Sequence, residues 1–307
     1  MSEQFRSGFV SILGRPNAGK STLLNALVGQ KLAITADQPQ TTRTSIQGVL
    51  TLPEAQIVFL DTPGIHKAGT AINKRMMQAV RASLDQRDLL LFLADATLRM
   101  SESDRHAVDL VKTGEAPVLL VLTKIDLLRD KAALLPLLQR YREWYDFAAS
   151  IPVSAVTGDG LDVLRREIVQ RLPAGPRYFP EDYVTDQPER FLAAELVREK
   201  ILRETREEVP HSVAVTVDSW EETPKLTRVY ATVRVERDGQ KGILIGARGA
   251  MLKKIGTLAR QEMEALLGRR IYLDLHVRVQ PGWREKAAFL DALDWRTMAG
   301  GTDDTDT

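Results

Sequence analysis

Cysteine is absent from all 307 residues. That excludes disulfides, thiolate metal sites and cysteine nucleophiles, and it favours a reducing compartment. Long apolar runs are absent as well. None approaches the length that spans a bilayer, and the opening stretch from Met1 to Val10 has no apolar signal core. A cytosolic protein is expected. A large charge excess is also missing: the net charge is +1, so any nucleic-acid site must come from local clustering of basic residues. The rest of the composition is that of a globular protein, 44 % hydrophobic and 27 % charged. The length suggests about two domains, each able to bury a core of its own.

Against that background one stretch stands out, Gly14-Arg15-Pro16-Asn17-Ala18-Gly19-Lys20-Ser21. It fits the phosphate-loop pattern G-x-x-x-x-G-K-S/T. Two glycines let the backbone bend so that successive N–H groups converge on a phosphate. Lys20 adds charge for the β- and γ-phosphates, and Ser21 offers a hydroxyl to Mg2+. The context suits the pattern. Phe9–Leu13 is apolar and β-prone, and Leu23, Leu24, Leu27 and Val28 recur at helical spacing. A strand should enter the loop, and a helix should leave it with its N-terminus toward the phosphates.

Apolar strands then alternate with helical stretches as far as Leu172. Strands are expected at Phe9–Leu13, Ile46–Leu50, Ile57–Leu60, Leu89–Ala94, Val118–Leu122 and Ile151–Val153. Helices are expected near Ser21–Val28, Ala71–Leu84, Ser101–Val111, Leu134–Tyr145 and Leu161–Leu172. Runs such as Leu89 to Leu93 suit a sheet buried on both faces. The alternation implies an α/β fold, a doubly wound and mainly parallel sheet with its ligand at the carboxyl ends of the strands.

Two further motifs follow strands. Asp61-Thr62-Pro63-Gly64 comes after Ile57–Leu60. An aspartate there can hold Mg2+ through water, and Gly64 lets its N–H approach a γ-phosphate. Thr123-Lys124-Ile125-Asp126 comes after Val118–Leu122. Its carboxylate can accept from guanine N1–H and N2–H2, whereas adenine would leave it unpaired. Each alone reads as a solvated turn; position and order give them weight. Ser154-Ala155, with Val156 next, occupies a place from which a backbone N–H can meet guanine O6. The polar run Gln38–Thr44 is either a connector or a source of a threonine for the Mg2+ shell.

In this order the elements resemble the guanine-nucleotide domain of translation-factor-type GTPases, and Gly-Arg-Pro-Asn-Ala-Gly-Lys-Ser with Thr-Thr-Arg, Asp-Thr-Pro-Gly and Ser-Ala is similar to the Era branch. The resemblance implies GTP hydrolysis, with catalytic roles for Lys20, Thr42 and Gly64. It implies nucleotide contacts from Gly14 to Ser21, from Thr22, from Asp61 to Gly64, from Thr123, Lys124 and Asp126, and from Ser154 to Val156. Ser21, Thr42 and Asp61 would hold Mg2+; Thr41 is the alternative switch threonine. Asn17 is either a K+ ligand, as in related GTPases, or a turn residue. Two departures matter. Thr123 replaces the usual asparagine, so guanine selectivity is expected to survive with altered affinity. Ile65 stands where many GTPases place a water-orienting glutamine, so slow intrinsic hydrolysis is expected. His66 is read as solvated rather than as a base.

Pro173 to Pro188 is proline-rich and reads as a linker whose aromatics pack on a surface. Beyond it come a helix at Glu189–Glu208, strands at Ser212–Trp220 and Thr227–Glu236, a helix, Gly246-Ala247-Arg248-Gly249, a helix to Leu267 and a strand at Ile271–Val279. This order resembles a type II KH domain, whose G-x-x-G loop clamps about four single-stranded nucleotides. Lys241, Ile243, Ile245, Gly246, Ala247, Arg248, Gly249, Lys253 and Lys254 are the expected RNA-binding residues. The implied layout is a GTP-binding domain at 1–172, a linker at 173–188, a KH domain at 189–284 and a largely disordered tail at 285–307. As a whole, the resemblance implies a monomeric factor for 30S ribosomal subunit assembly that binds GTP or GDP and the 3′ end of 16S rRNA. A peripheral contact with the inner face of the cell membrane is a weaker expectation, because no basic amphipathic anchor is visible. The alternative function is a membrane-associated signalling GTPase whose last domain binds protein.

Overall fold

The computed structural model describes residues 4–295 apart from 39, 66–69, 86, 113 and 207–208. The expectations for His66 and for the end of the tail therefore fall outside the described residues. The chain forms two compact units. One comprises Met1–Ala33, Thr42–Ala68 and Asn73–Asp186; the other comprises Ile34–Thr41, Gly69–Ile72 and Gln187–Thr307.

The first unit runs β1 (Arg6–Gly14), α1 (Lys20–Val28), β2 (Ile46–Thr51), β3 (Ala55–Asp61), α2 (Ala71–Asp85, in this unit from Asn73 on), β4 (Leu89–Asp95), α3 (Glu102–Val111), β5 (Val118–Thr123), α4 (Leu134–Trp144), β6 (Ala149–Pro152) and α5 (Leu161–Arg171). The strands form one sheet in the order β2-β3-β1-β4-β5-β6, in which β2 alone is antiparallel to its neighbour. All of β4 is buried, as its unbroken apolar sequence requires in a sheet covered on both faces. Each such Leu or Phe contributes about 1.5–3 kcal/mol by leaving water. Gly14, Asp61 and Thr123 end β1, β3 and β5, so parallel pairing brings three separate stretches of sequence to one sheet edge.

β1 starts at Arg6, earlier than its apolar run. The extra residues are held by ladder bonds, since Arg6 and Ser7 pair with Ala55 and Gln56 of β3. The stretch 173–186 belongs to this unit. Gln56 Oε1 accepts from the backbone N–H groups of Tyr178 and Phe179 at 2.8 and 3.0 Å, and Tyr178 stacks on Phe9.

The second unit contains α6 (Glu189–Glu204), α7 (Val209–Ser212), β7 (Ala214–Glu222), β8 (Thr227–Val235), α8 (Asp238–Ile245), α9 (Ala250–Leu267), β9 (Ile271–Val279) and α10 (Ala287–Ala292). Its sheet has the order β7-β8-β9, with β8 and β9 parallel. α6 ends at Glu204, before the expected Glu208. Thr205 leaves helical geometry, and its hydroxyl donates to Ile201 O at 2.7 Å, satisfying a terminal carbonyl. The expected strand start at Ser212 is also corrected. Val209–Ser212 forms a helical turn with Pro210 near its start, and β7 begins at Ala214. The segment Ile34–Thr41 joins this unit's core through Ile34, which is buried with Val197, Ile201 and Val233.

Candidate functional site

In the first unit the site begins with backbone. A Cβ on Gly14 would lie 2.6 Å from the carbonyl oxygen of Leu93, so β1 can turn there only without a side chain. Gly19, at φ 86°, starts α1 in the left-handed region, and Asn17 has φ 61°. Lys20 is the first residue of α1. It is 6 % exposed, and its ammonium donates to the carbonyls of Gly14 and Arg15 at 3.2 and 3.1 Å, lying across the loop. Burial pulls its pKa down to about 8, against the attraction of Asp61.

Asp61 is buried, and burial pushes its carboxyl up to about 6, opposed by Lys20 and by hydroxyl donors. Ser21 Oγ lies 2.7 Å from Thr42 Oγ1 and donates to Asp61 Oδ2 at 2.7 Å; Thr42 Oγ1 is 3.4 Å from the same oxygen. Nothing among the described residues donates to Asp61 Oδ1, which is buried. A cluster of hard oxygens with an unsatisfied carboxylate atom fits a divalent magnesium ion. Thr62 donates to Ile12 O at 2.7 Å and fixes the Asp-Thr-Pro-Gly turn on β1. A Cβ on Gly64 would come within 3.0 Å of Pro16 Cα, so the turn closes on the phosphate loop because Gly64 is bare. Ile65 is 8 % exposed and belongs to the apolar cluster of Leu13, Val80 and Phe92. Its side chain serves the core, which agrees with its being unable to orient water.

At the end of β5, Thr123 is 4 % exposed and its hydroxyl lies 2.8 Å from Ala18 O and 3.3 Å from Ala94 O. Lys124 has φ 61°, and its ammonium is 2.8 Å from Asp95 Oδ2. Burial alone would raise the Asp95 carboxyl, but hydrogen bonds from Lys124 and Thr97 hold it below its usual range. Asp126 is exposed in the short 3-10 turn Ile125–Leu127. Ser154 is buried and accepts at its hydroxyl from Thr157 N at 3.1 Å, while Ala155 is half-buried and Val156 is exposed. The phosphate-loop, Asp61 and Thr123–Asp126 groups thus share one edge of the sheet.

Sequence reading missed what stands behind the loop. Arg15 Nη1 is 3.2 Å from Asp104 Oδ2, a carboxylate on α3 that is 2 % exposed. Asp104 also completes a capping box with Ser101. Asn25 of α1 likewise holds the chain leaving the helix, accepting from Leu32 N and Ala33 N at 2.9 Å and donating to Ala33 O at 2.8 Å. An amide in a helix that otherwise shows an apolar face was the available signal.

In the second unit, Gly246 has φ 70° and ψ 180°, a conformation open in practice to glycine only, and a Cβ there would meet Met251 Cβ at 2.7 Å. Arg248 has φ 51°, and Gly249, at φ 79°, starts α9. A groove of about 360 Å³ beside this loop is lined by Gly249, Leu252, Lys253, Gly256, Thr257, Arg260, Leu273 and Leu275. Gly249 and Lys253 are therefore the sequence-identified residues that line it. Lys241, Ile243 and Ile245 lie on α8; Ile243 is 54 % exposed and Ile245 packs toward the core. Lys254 is paired with Glu204 at 2.5 Å. The apolar wall comes from Leu252, Leu273 and Leu275, because β9 is an edge strand whose alternate side chains face α9.

A doubly wound sheet with a phosphate loop, an Asp-x-x-Gly turn and a Thr-Lys-x-Asp turn at one edge defines a phosphate-loop GTPase, here carrying a KH domain. Family models agree: residues 9–124 match "50S ribosome-binding GTPase" and residues 208–284 match "KH domain". The chain is 50 % identical over 291 residues to GTPase Era of Geobacter metallireducens, covering 94 % of this chain and 97 % of that one. It is 47 % identical over 300 residues to GTPase Era of Rippkaea orientalis, covering 96 % and 94 %. Among solved structures, a variant of Aquifex aeolicus Era bound to GDP·AlF4− superposes with a TM-score of 0.92 at 40 % identity, covering 95 % of this chain and 99 % of that one. Era in complex with MgGDPNP and nucleotides 1506–1542 of 16S ribosomal RNA gives the same values. The chain belongs to the Era family of GTPases, with an N-terminal GTPase domain and a C-terminal KH domain. It is a GTPase, converting GTP to GDP and phosphate.

Proposed function

We propose that this protein is a GTP-driven switch that binds single-stranded RNA at the 3′ end of 16S rRNA and assists assembly of the 30S subunit. The relative crystallised with MgGDPNP and a 16S fragment supports this reading, as does the groove beside Gly246–Gly249. The proposed division is a GTP-binding domain at 1–172, a linker at 173–188 and an RNA-binding domain at 189–284. The working location is the cytoplasm and the working form a monomer.

In this reading the phosphate-loop N–H groups and Lys20 bind the phosphates, and Asp126 selects guanine. Ser21, Thr42 and Asp61 hold Mg2+, whose bound charge would neutralise the phosphate oxygens. Gly64 offers its N–H to the γ-phosphate. Asn17 is either a K+ ligand or a turn residue; equal turnover in K+ and Na+ would leave it the turn alone. With Ile65 in the core, no side chain at that position orients water, so hydrolysis is slow without a partner.

The observation that carries the switch is the placement of Ile34–Thr41. Thr35 N donates to Glu199 Oε1 at 2.8 Å, and Arg198 donates to the carbonyl of Thr41, all within the second unit. The next residue, Thr42, lies beside Ser21 and Asp61. Ordering Thr42 with nucleotide therefore acts on a stretch of chain already committed to the KH body.

The test is the affinity for an RNA oligomer of 16S 3′-end sequence with GTP analogue or GDP bound, with Ala247→Asp and Arg248→Asp as controls. Tighter binding with the analogue, lost in the variants, supports a gated clamp. Equal binding keeps the RNA site and removes the gate. Absent or salt-independent binding sinks the RNA reading and leaves a protein-interaction module, as in the membrane-signalling alternative.

A further inference from the structure

Thr123 stands where the base motif of most related GTPases has asparagine, and its hydroxyl is already engaged. A threonine hydroxyl carries a single donor hydrogen. Here that hydrogen has a carbonyl acceptor at 2.8 Å, Ala18 O in the phosphate loop, with Ala94 O as a second acceptor at 3.3 Å. Carbonyls cannot donate, so both contacts consume the hydroxyl as donor. The side chain is 4 % exposed and presents nothing further outward. Its neighbour Lys124 turns away from the strand at φ 61° and its ammonium pairs with Asp95 at 2.8 Å.

We propose that Thr123 is a positioning residue, tying the end of the base-side strand β5 to the phosphate loop at Ala18, and that it leaves the N7 atom of guanine unread. N7 is an acceptor and needs a donor; an asparagine amide has two donor hydrogens and can serve both partners, whereas this hydroxyl serves one. Recognition of the base then rests on its Watson–Crick edge at Asp126. This inference rests on the proposed role of Asp126 and on the guanine-nucleotide site.

The tether has a mechanical consequence. Ala18 is buried, its N–H donates to Arg15 O at 3.3 Å, and Gly19 and Lys20 follow it. A bond to its carbonyl fixes the peptide immediately before Gly19, and hence the direction of the N–H groups aimed at phosphate. Loss of the hydroxyl should weaken every nucleotide alike, since phosphate is common to all.

The experiment is displacement of a fluorescent GDP by GTP, ATP and 7-deaza-GTP, in which a C–H replaces N7. In the natural protein 7-deaza-GTP is expected to bind within about twofold of GTP, while ATP is weaker by about 10^3-fold or more. Thr123→Asn is expected to create a preference of about fivefold or more for GTP over 7-deaza-GTP, the usual effect of one added hydrogen bond. Thr123→Val is expected to weaken GTP and 7-deaza-GTP equally, by about tenfold, and Thr123→Ser to restore both. A preference of about tenfold for GTP over 7-deaza-GTP in the natural protein overturns the unread N7. Unchanged affinity in Thr123→Val overturns the tether. Failure of GTP itself to displace the probe, or displacement by ATP equal to GTP, overturns the guanine site and this inference with it.

Discussion

Lys20 and Asp61 are opposite charges buried together, and each is displaced toward its neutral form. The raised Asp61 carboxyl favours folding at low pH, and that contribution is lost as pH rises through about 6. The lowered Lys20 ammonium favours folding at high pH, and that contribution is lost as pH falls through about 8. Between these values both penalties act, in the range where the proposed roles at phosphate and cation need both groups charged. The Tm of the nucleotide-free protein minus that of Lys20→Met/Asp61→Asn should therefore be lowest in that window; a flat difference across pH would sink the account. Gly246 and Gly249 make a second test. Gly246→Ala meets Met251 and an inaccessible backbone conformation, so it should cost about 1–3 kcal/mol and abolish RNA binding. Gly249→Ala enters open space at a left-handed φ and should cost only about 1 kcal/mol. Equal Tm losses would contradict this. The phosphate loop, Asp61–Gly64 and Thr123–Asp126 are legible in the sequence because each is a run of adjacent residues at a strand end. The partner of Thr123 is not, because Ala18 lies 105 residues away.

At the scale of elements, α3 supports the phosphate loop from behind. Its first turn is capped by Ser101, and the same Asp104 that closes the capping box binds Arg15. Ser101→Ala should cost about 1 kcal/mol, the value of a cap. Asp104→Ala should cost about 3 kcal/mol, because it also leaves the largely buried Arg15 guanidinium unpaired, and it should weaken GTP binding as well. Thermal unfolding with and without nucleotide separates the two; similar losses in both variants would show that Arg15 does not depend on α3. Helical and strand periodicity locate these elements well. Their ends are less legible, since hydrogen bonds rather than apolar spacing set them. β1 reaches back to Arg6 through its ladder, and α6 stops where Thr205 caps it. The groove wall on β9 is hidden for another reason. Leu273 and Leu275 look like ordinary members of an alternating strand until the fold places them at an edge beside α9.

For the molecule as a whole, the order of residues along the chain and their grouping in space disagree at one informative place. Ile34–Thr41 sits in the sequence between α1 and β2, yet Ile34 joins the core of the second unit, and Thr35 and Thr41 bond to its helix α6. The sequence alone leaves the overlapping run Gln38–Thr44 as either a connector or a source of a threonine for Mg2+. Arg198→Met removes the donor to Thr41 O and should raise amide exchange across 35–42 by about tenfold or more while sparing β4. Exchange that stays unchanged would mean that Ile34 and the Thr35–Glu199 bond hold the segment without Arg198. The same arrangement bears on how such a chain can be divided. A fragment beginning at residue 187 carries all the strands of the KH sheet, yet it leaves behind the isoleucine that fills part of its core and a backbone N–H that donates to buried Glu199. Shuffling or truncating at the proline-rich stretch would thus yield a module with a notch in its interior. Inheritance of the two halves as independent parts is disfavoured by this borrowed segment, and any graft should carry residues 34–41 with it.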